Sequence, residues 1–208
     1  PVYEQDWAVS WREFFGTVRV GRVAIVPSWI HHEAAPYEVI VRLDPGRAFG
    51  TGHHQTTRLC LAALQDIVRP GMAILDLGTG SGILSITAVK LGAGYVLARD
   101  IDPAAIEVAR QNIADNGVGD CVTLERGSLE SGAPPAGIDA IIANISTQAH
   151  LGLAGAYAAT LASGGRLGLS GILAADAALV TGAVERAGFE RTAARYERDW
   201  CLLECRRC

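Results

Sequence analysis

Ile74-Leu75-Asp76-Leu77-Gly78-Thr79-Gly80-Ser81-Gly82 is an apolar run that closes on an acid and three glycines at alternate positions. Glycines in that place let the backbone turn tightly off a strand and come close to a ligand. The helix expected to start near Gly82 then offers its free N–H groups to an anionic or polar part of it. A GxGxxG dinucleotide loop needs another small residue at Ile83 or Leu84, and a phosphate loop needs Gly-Lys-Ser/Thr; the sequence has neither. About twenty residues on, Asp100-Ile101-Asp102 falls at the end of the next expected strand. A carboxylate there can accept both ribose hydroxyl hydrogens of a nucleoside cofactor. Asp100 is assigned to the ribose and Asp102, directly before Pro103, to the cap of the following helix.

Ala143-Asn144-Ile145 closes another apolar run. The Asn144 amide carbonyl could accept a hydrogen from an attacking amine and aim its lone pair, or the side chain could cap the segment starting at Ser146. Further upstream, Asp44 to Gly52 holds three glycines and a proline and must be a loop. His53 and His54 follow it, and loop packing is favoured for them over a base or metal role.

The elements that would position these residues alternate. Strands are expected at 72–77, 94–99, 121–125, 138–143, 165–170, 189–195 and about 200–206, with helices starting near Gly82, Pro103, Ser146 and Leu173. A helix beginning at Thr56 or Thr57 runs through Leu59, Ala63 and Ile67. Upstream come two strand-like runs, Val18 to Val26 and Val39 to Leu43, and an amphipathic pattern of Trp7, Trp11, Phe14 and Phe15. Short apolar strands alternating with helices imply an α/β fold with a mainly parallel sheet covered on both faces, whose ligands bind at the carboxyl ends of the strands.

The 208 residues suit one compact α/β domain. A net charge of −4 and a pI near 5.7 argue against direct nucleic-acid binding through many phosphate contacts. No stretch approaches the roughly 20 apolar residues of a membrane span, and the start lacks a basic-then-apolar pattern, so a cytoplasmic protein without membrane contact is expected. Lys90 is the only lysine. Of five cysteines, Cys60 and Cys121 look like small core residues. Cys201, Cys205 and Cys208 are better explained as core or surface thiols than as a metal site, and no metal is expected.

The form GxGxG after an aspartate is typical of methyltransferases, and the loop Asp44-Pro45-Gly46-Arg47-Ala48-Phe49-Gly50-Thr51-Gly52-His53-His54-Gln55-Thr56-Thr57 is more specific still. With the glycine loop, Asp100-Ile101-Asp102-Pro103, Ala143-Asn144-Ile145 and Leu169-Ser170-Gly171-Ile172-Leu173, it resembles the ribosomal protein L-eleven methyltransferase (PrmA) family over about residues 1 to 204. That resemblance implies a Rossmann-like, seven-stranded class I methyltransferase fold dependent on S-adenosylmethionine. Residues 1–53 would supply a linker helix and short strands leading into a cofactor-covering loop, and 54–208 the methyltransferase domain. The cofactor set implied is Phe49, Thr51, Gly52, Thr57, Asp76, Gly78, Gly80, Gly82, Asp100, Ser128 and Asn144, with Asn144 also catalytic. Phe49 to Gly52 would close over the methionine end, and Ser128 stands where many such sites carry an acid for the adenine amine. The implied substrate is a large-subunit ribosomal protein, methylated on lysine or N-terminal amines. The chain starts near the linker that follows the family's substrate-recognising domain. Other readings are a methyltransferase of this fold acting on another protein or a small amine, a nucleotide-dependent oxidoreductase, and a non-catalytic cofactor-binding module. Arg99 before Asp100 departs from the family's usual small or apolar residue, and Asn144-Ile145-Ser146 lacks the prolines of many amine methyltransferases.

Overall fold

Strand order is what places the glycine loop. The computed structural model describes residues 16–43, 52–129 and 136–208; Phe49, Thr51 and the aromatic pattern at 7–15 lie outside them. Three short strands come first: β1 (Val18–Val20), β2 (Val23–Pro27) and β3 (Val39–Leu43), joined in the order β1-β2-β3. The run Val18 to Val26 is therefore two antiparallel strands rather than one, because Gly21, at φ +56°, turns the chain between them.

Helix α1 (Gln55–Ile67) then leads into the alternation of β4 (Ala73–Leu77), α2 (Ile83–Lys90), β5 (Tyr95–Asp100), α3 (Pro103–Asp115), β6 (Val122–Arg126), β7 (Ile138–Asn144), α4 (Thr147–Thr160), β8 (Leu161–Leu173), α5 (Ala177–Arg186), β9 (Phe189–Glu197) and β10 (Trp200–Arg207). The last seven strands form one sheet in the order β6-β5-β4-β7-β8-β10-β9, parallel from β6 to β8 and with β10 antiparallel to both β8 and β9. The chain winds outward from β4 to β5 and β6, then returns to β7 on β4's other side. The carboxyl end of β4 is thus the topological switch point, where such sheets open a crevice. Two boundaries differ from expectation. His54 rather than Thr56 or Thr57 caps α1, and β8 continues through Leu173, so the last helix starts only at Ala177 after a short 3₁₀ turn.

Side-chain alternation along the strands builds two apolar layers. Ile74 of β4 and Ala140 and Ile142 of β7 face one cluster with α1, α2 and α3; Leu75, Leu77, Ile141 and Ala143 face the other with α4 and α5. The small sheet joins the first layer through Val23, Ile25, Val41 and Leu43. Polar clamps fix it there. Gln65 of α1 donates to the Val20 carbonyl and accepts from the Arg22 N–H, while Asn116 brackets Arg42 through both its N–H and its carbonyl. Lys90 donates to the Ile40 carbonyl at 2.7 Å and to Asn116 Oδ1 at 2.9 Å. Cys201 and Cys205 are buried core thiols of β10, and Cys208 is exposed. Among the described residues no helix is long and apolar enough to cross a membrane.

Candidate functional site

A cavity of about 740 Å³ opens at the carboxyl ends of β4, β5 and β7. That is within the size range of sites for small organic ligands. Its wall takes Gly78, Thr79 and Gly80 from the loop after β4, Asp100 from β5, and Asn144 from β7. Gly127 and Ser128 after β6 and Thr57 of α1 add to it.

The glycine loop is held from below. Asp76 is fully buried and its Oδ2 accepts from Ser85 Oγ at 2.6 Å, Thr79 Oγ1 at 2.7 Å and the Ser85 N–H at 3.1 Å. Burial pushes this carboxyl up to about 6, and those donors act against the push. Asp76 therefore lies behind the lining of the cavity and holds the loop from below, where a cofactor contact was expected. Its position in the pleat explains this: it projects on the face of β4 shared with Ile74, toward α2. Gly78, at φ +74°, has no room for a side chain, because a β-carbon there would collide with Ile145. Gly82 is not in the wall either; it begins α2 against Ala109 of α3. Gly52 is buried against Ile25 of the small sheet.

Asp100 is fixed by two backbone donors, Gly80 N–H to Oδ2 at 2.9 Å and Asp102 N–H to Oδ1 at 3.0 Å. Each oxygen keeps a second lone pair, which two vicinal hydroxyls would satisfy. Asp102 caps α3 through the Ala104 N–H at 2.8 Å, as expected for the acid before Pro103. Arg99 pairs with Glu125 across the β5–β6 register at 2.7 Å and reaches the Ser128 carbonyl at 3.5 Å, tying down the loop that carries Gly127 and Ser128. This accounts for arginine at that position. Ile101 between the acids is 71% exposed and lines the same end of the cavity.

At the other end, Ser146 is the cap of α4, which frees Asn144 from that role. The Asn144 amide nitrogen is 3.5 Å from Thr57 Oγ1, leaving the amide oxygen as the acceptor of the pair. His54 caps α1: its Nδ1 accepts from the Thr56 N–H and lies 2.8 Å from Thr56 Oγ1. The neutral ring then carries its hydrogen on Nε2. Trp200 stands edge-on to His54, centroids 5.1 Å apart, and both line the cavity. Sequence reasoning assigned His54 to packing alone and passed over Trp200, because only the return of β10 beside β8 brings that residue to the site. The ionisable residues of the described wall are His54 and Asp100; most of the remainder is apolar.

A family model described as ribosomal protein L11 methyltransferase (PrmA) matches residues 1–208. The chain belongs to that family. It is 46% identical to the ribosomal protein L11 methyltransferase of Pelobacter propionicus, over 99% of this chain and 68% of that protein. The enzyme of the same name from Chloroflexus aurantiacus is 43% identical over 98% of this chain and 70% of its own length. The chain spans about two thirds of these PrmA relatives, between 64% and 70% of the first two. The crystal structure of ribosomal protein L11 methylase from Lactobacillus delbrueckii superposes with a TM-score of 0.86 at 32% identity, covering 93% of this chain and all of that one. An S-adenosylmethionine-dependent methyltransferase from Mesorhizobium loti shares the fold alone, with a TM-score of 0.58 at 18% identity. This PrmA chain is thus an α/β methyltransferase. For a nucleoside cofactor, Asp100 offers acceptors for a ribose, and Gly78 keeps its backbone close to Ile145 where a side chain has no room.

Proposed function

We propose that this chain methylates amino groups, lysine side chains or the α-amine, of a large-subunit ribosomal protein of the L11 kind, in the cytoplasm. The supporting observation is that one apolar cavity is lined both by Asp100 and by Asn144, which end the two strands flanking β4. In this reading Asp100, Gly78, Gly80 and Ser128 hold the nucleoside, and Thr57 and Asn144 bound the end where the amine arrives. When bound, S-adenosylmethionine supplies a methyl group activated by a cationic sulfonium.

The residues of the chain align and desolvate. A lysine amine has an ordinary pKa of about 10.4, and an apolar wall lowers it by favouring the neutral form. The Asn144 amide oxygen accepts one amine hydrogen and so aims the nitrogen lone pair. His54 Nδ1 is engaged with Thr56, so the ring serves at the helix start and not as a base. Catalysis then rests on orientation, which can be worth several powers of ten in rate.

The test is incubation of the chain with purified ribosomal protein L11 and S-adenosylmethionine, followed by mass spectrometry of the product. Mass increments of whole methyl groups on L11 amines support the reading. Methylation of other amines with L11 untouched would move it to a different substrate, and no transfer to any amine would refute it.

A further inference from the structure

A fully buried histidine lies directly behind the amine end of the cavity, in a place the chemistry above does not use. His150, one turn into α4, is 0% exposed. Its Nε2 lies 2.8 Å from the Ser170 carbonyl oxygen and its Nδ1 3.0 Å from the Tyr157 hydroxyl. A carbonyl can only accept, so Nε2 carries the hydrogen, and Nδ1 accepts from Tyr157. We propose that neutral His150 is a positioning residue for methyl transfer: through the Ser170 carbonyl it fixes Ile145, and with it the Asn144 amide, against the cofactor loop. The inference rests on the functional reading above.

The geometry centres on the Ser170 carbonyl, and the Ile145 backbone also acts on the His150 ring directly. The Ser170 carbonyl also accepts the Ile145 N–H at 3.1 Å, so both of its lone pairs are engaged, one by His150 and one by the residue after Asn144. Asn144 itself sits opposite Ser170 in the β7–β8 register. Ile145 is wedged between two glycines: its side chain occupies the space over Gly78 and its carbonyl lies against Gly171. A small slide of Ile145 would therefore disturb the Asn144 amide and the cofactor loop together. The Ser170 hydroxyl, 3.2 Å from the Thr56 carbonyl and 3.3 Å from that of Cys201, links the same point to the start of α1 and to β10 beside Trp200. The end of β7, the start of α1, α4 and β10 thus meet at Ser170, with His150 on its carbonyl from inside.

Burial holds the ring far on the neutral side, pushing its pKa down to about 4. An apolar residue of similar size would fill the space without desolvating two nitrogens. A polar side chain here therefore suggests that its hydrogen bonds, more than its volume, are what the site uses.

Three variants test this: His150→Leu, which keeps volume and removes both bonds; His150→Gln, whose amide can still donate to Ser170; and Tyr157→Phe, the mildest change, which removes one hydroxyl. For His150→Leu we expect kcat on L11 to fall about tenfold to a hundredfold, the effect of a slight misalignment. Cofactor affinity should stay within about twofold, and most of the loss should return in His150→Gln. Independently of activity, the Ile145 amide should exchange with deuterium at least about tenfold faster in His150→Leu, while Leu75 in the central strand keeps its protection. An unchanged Ile145 exchange rate would overturn the proposal, as would equal losses in the leucine and glutamine variants. Should His150→Leu fail to fold, Tyr157→Phe carries the same two readouts, with smaller changes in the same direction expected and no change in either counting against it. If the wild-type chain methylates no amine, the functional reading fails, yet the Ile145 exchange still decides whether His150 positions that segment.

Discussion

Gly80 donates its backbone N–H to Asp100 Oδ2 at 2.9 Å, so the cofactor loop and the acid on the neighbouring strand form one rigid unit. Losing the acid removes both a ligand group and a support. Asp100→Ala is expected to weaken S-adenosylmethionine binding by roughly a hundredfold, and Asp100→Asn less, since a charge-assisted hydrogen bond is worth about 1.5–3 kcal/mol. Titration calorimetry on the two variants would measure it, and affinities equal to wild type would remove Asp100 from the site.

Gly78→Ala should be more harmful than its single added methyl suggests, because the backbone is at φ +74° and the new carbon collides with Ile145. We expect a loss of about 1–3 kcal/mol in stability with impaired cofactor binding. Adding Ile145→Ala should relieve the collision and recover part of the stability, but not the strain of the positive φ. Urea melts of the single and double variants would show non-additivity of about 1 kcal/mol if the two residues couple as described.

Asn144→Ala should lower kcat on the protein substrate by at least about tenfold while changing cofactor affinity by less than about threefold. Single-turnover methyl transfer beside calorimetry separates the two effects. A variant that loses affinity and rate in proportion would show that Asn144 serves binding alone.

The pH dependence of stability separates two buried groups with opposite signs. The folded-state pKa of His150 is depressed to about 4 from an ordinary 6.5, so the stability tied to its neutral form is complete above 6.5 and is lost as pH falls toward 4. Asp76 is raised to about 6 from an ordinary 3.8, so its burial costs most above 6 and that cost fades as pH falls toward 3.8. The wild-type chain, compared with His150→Leu, should thus lose a further few kcal/mol, as an order of magnitude, between pH 6.5 and 4. Denaturant titrations across that range would reveal it, and parallel curves for the two chains would contradict it.

Much of this site could be read from sequence because its parts are local. The glycine loop and the cap before Pro103 each depend on neighbours within a few residues, and the structure shows the expected backbone donor at Asp102. The direction of Asp76 was not legible, because a strand residue next to a ligand loop can project to either side, and the packing of Ser85 beneath it decides which. Trp200 and His150 were illegible for a different reason. They reach the site through β10 inserting beside β8 and through α4 folding back on Ser170, contacts that no local pattern encodes. The same limit applies to Val18–Val26, where one glycine turns an apparently continuous strand into a hairpin.

Lys90 spends its ammonium on the Ile40 carbonyl and Asn116, and it is the sole lysine of the chain. Under the proposed function, this stretch of chain offers lysine methylation a single side-chain target of its own, and that one is already engaged. In a mixture of this chain and substrate, methylated lysine recovered after complete hydrolysis can be credited to the substrate with little background, and an amine-reactive label should reach Lys90 only once the clamp on the small sheet opens. Labelling of Lys90 would then serve as a clock for that opening.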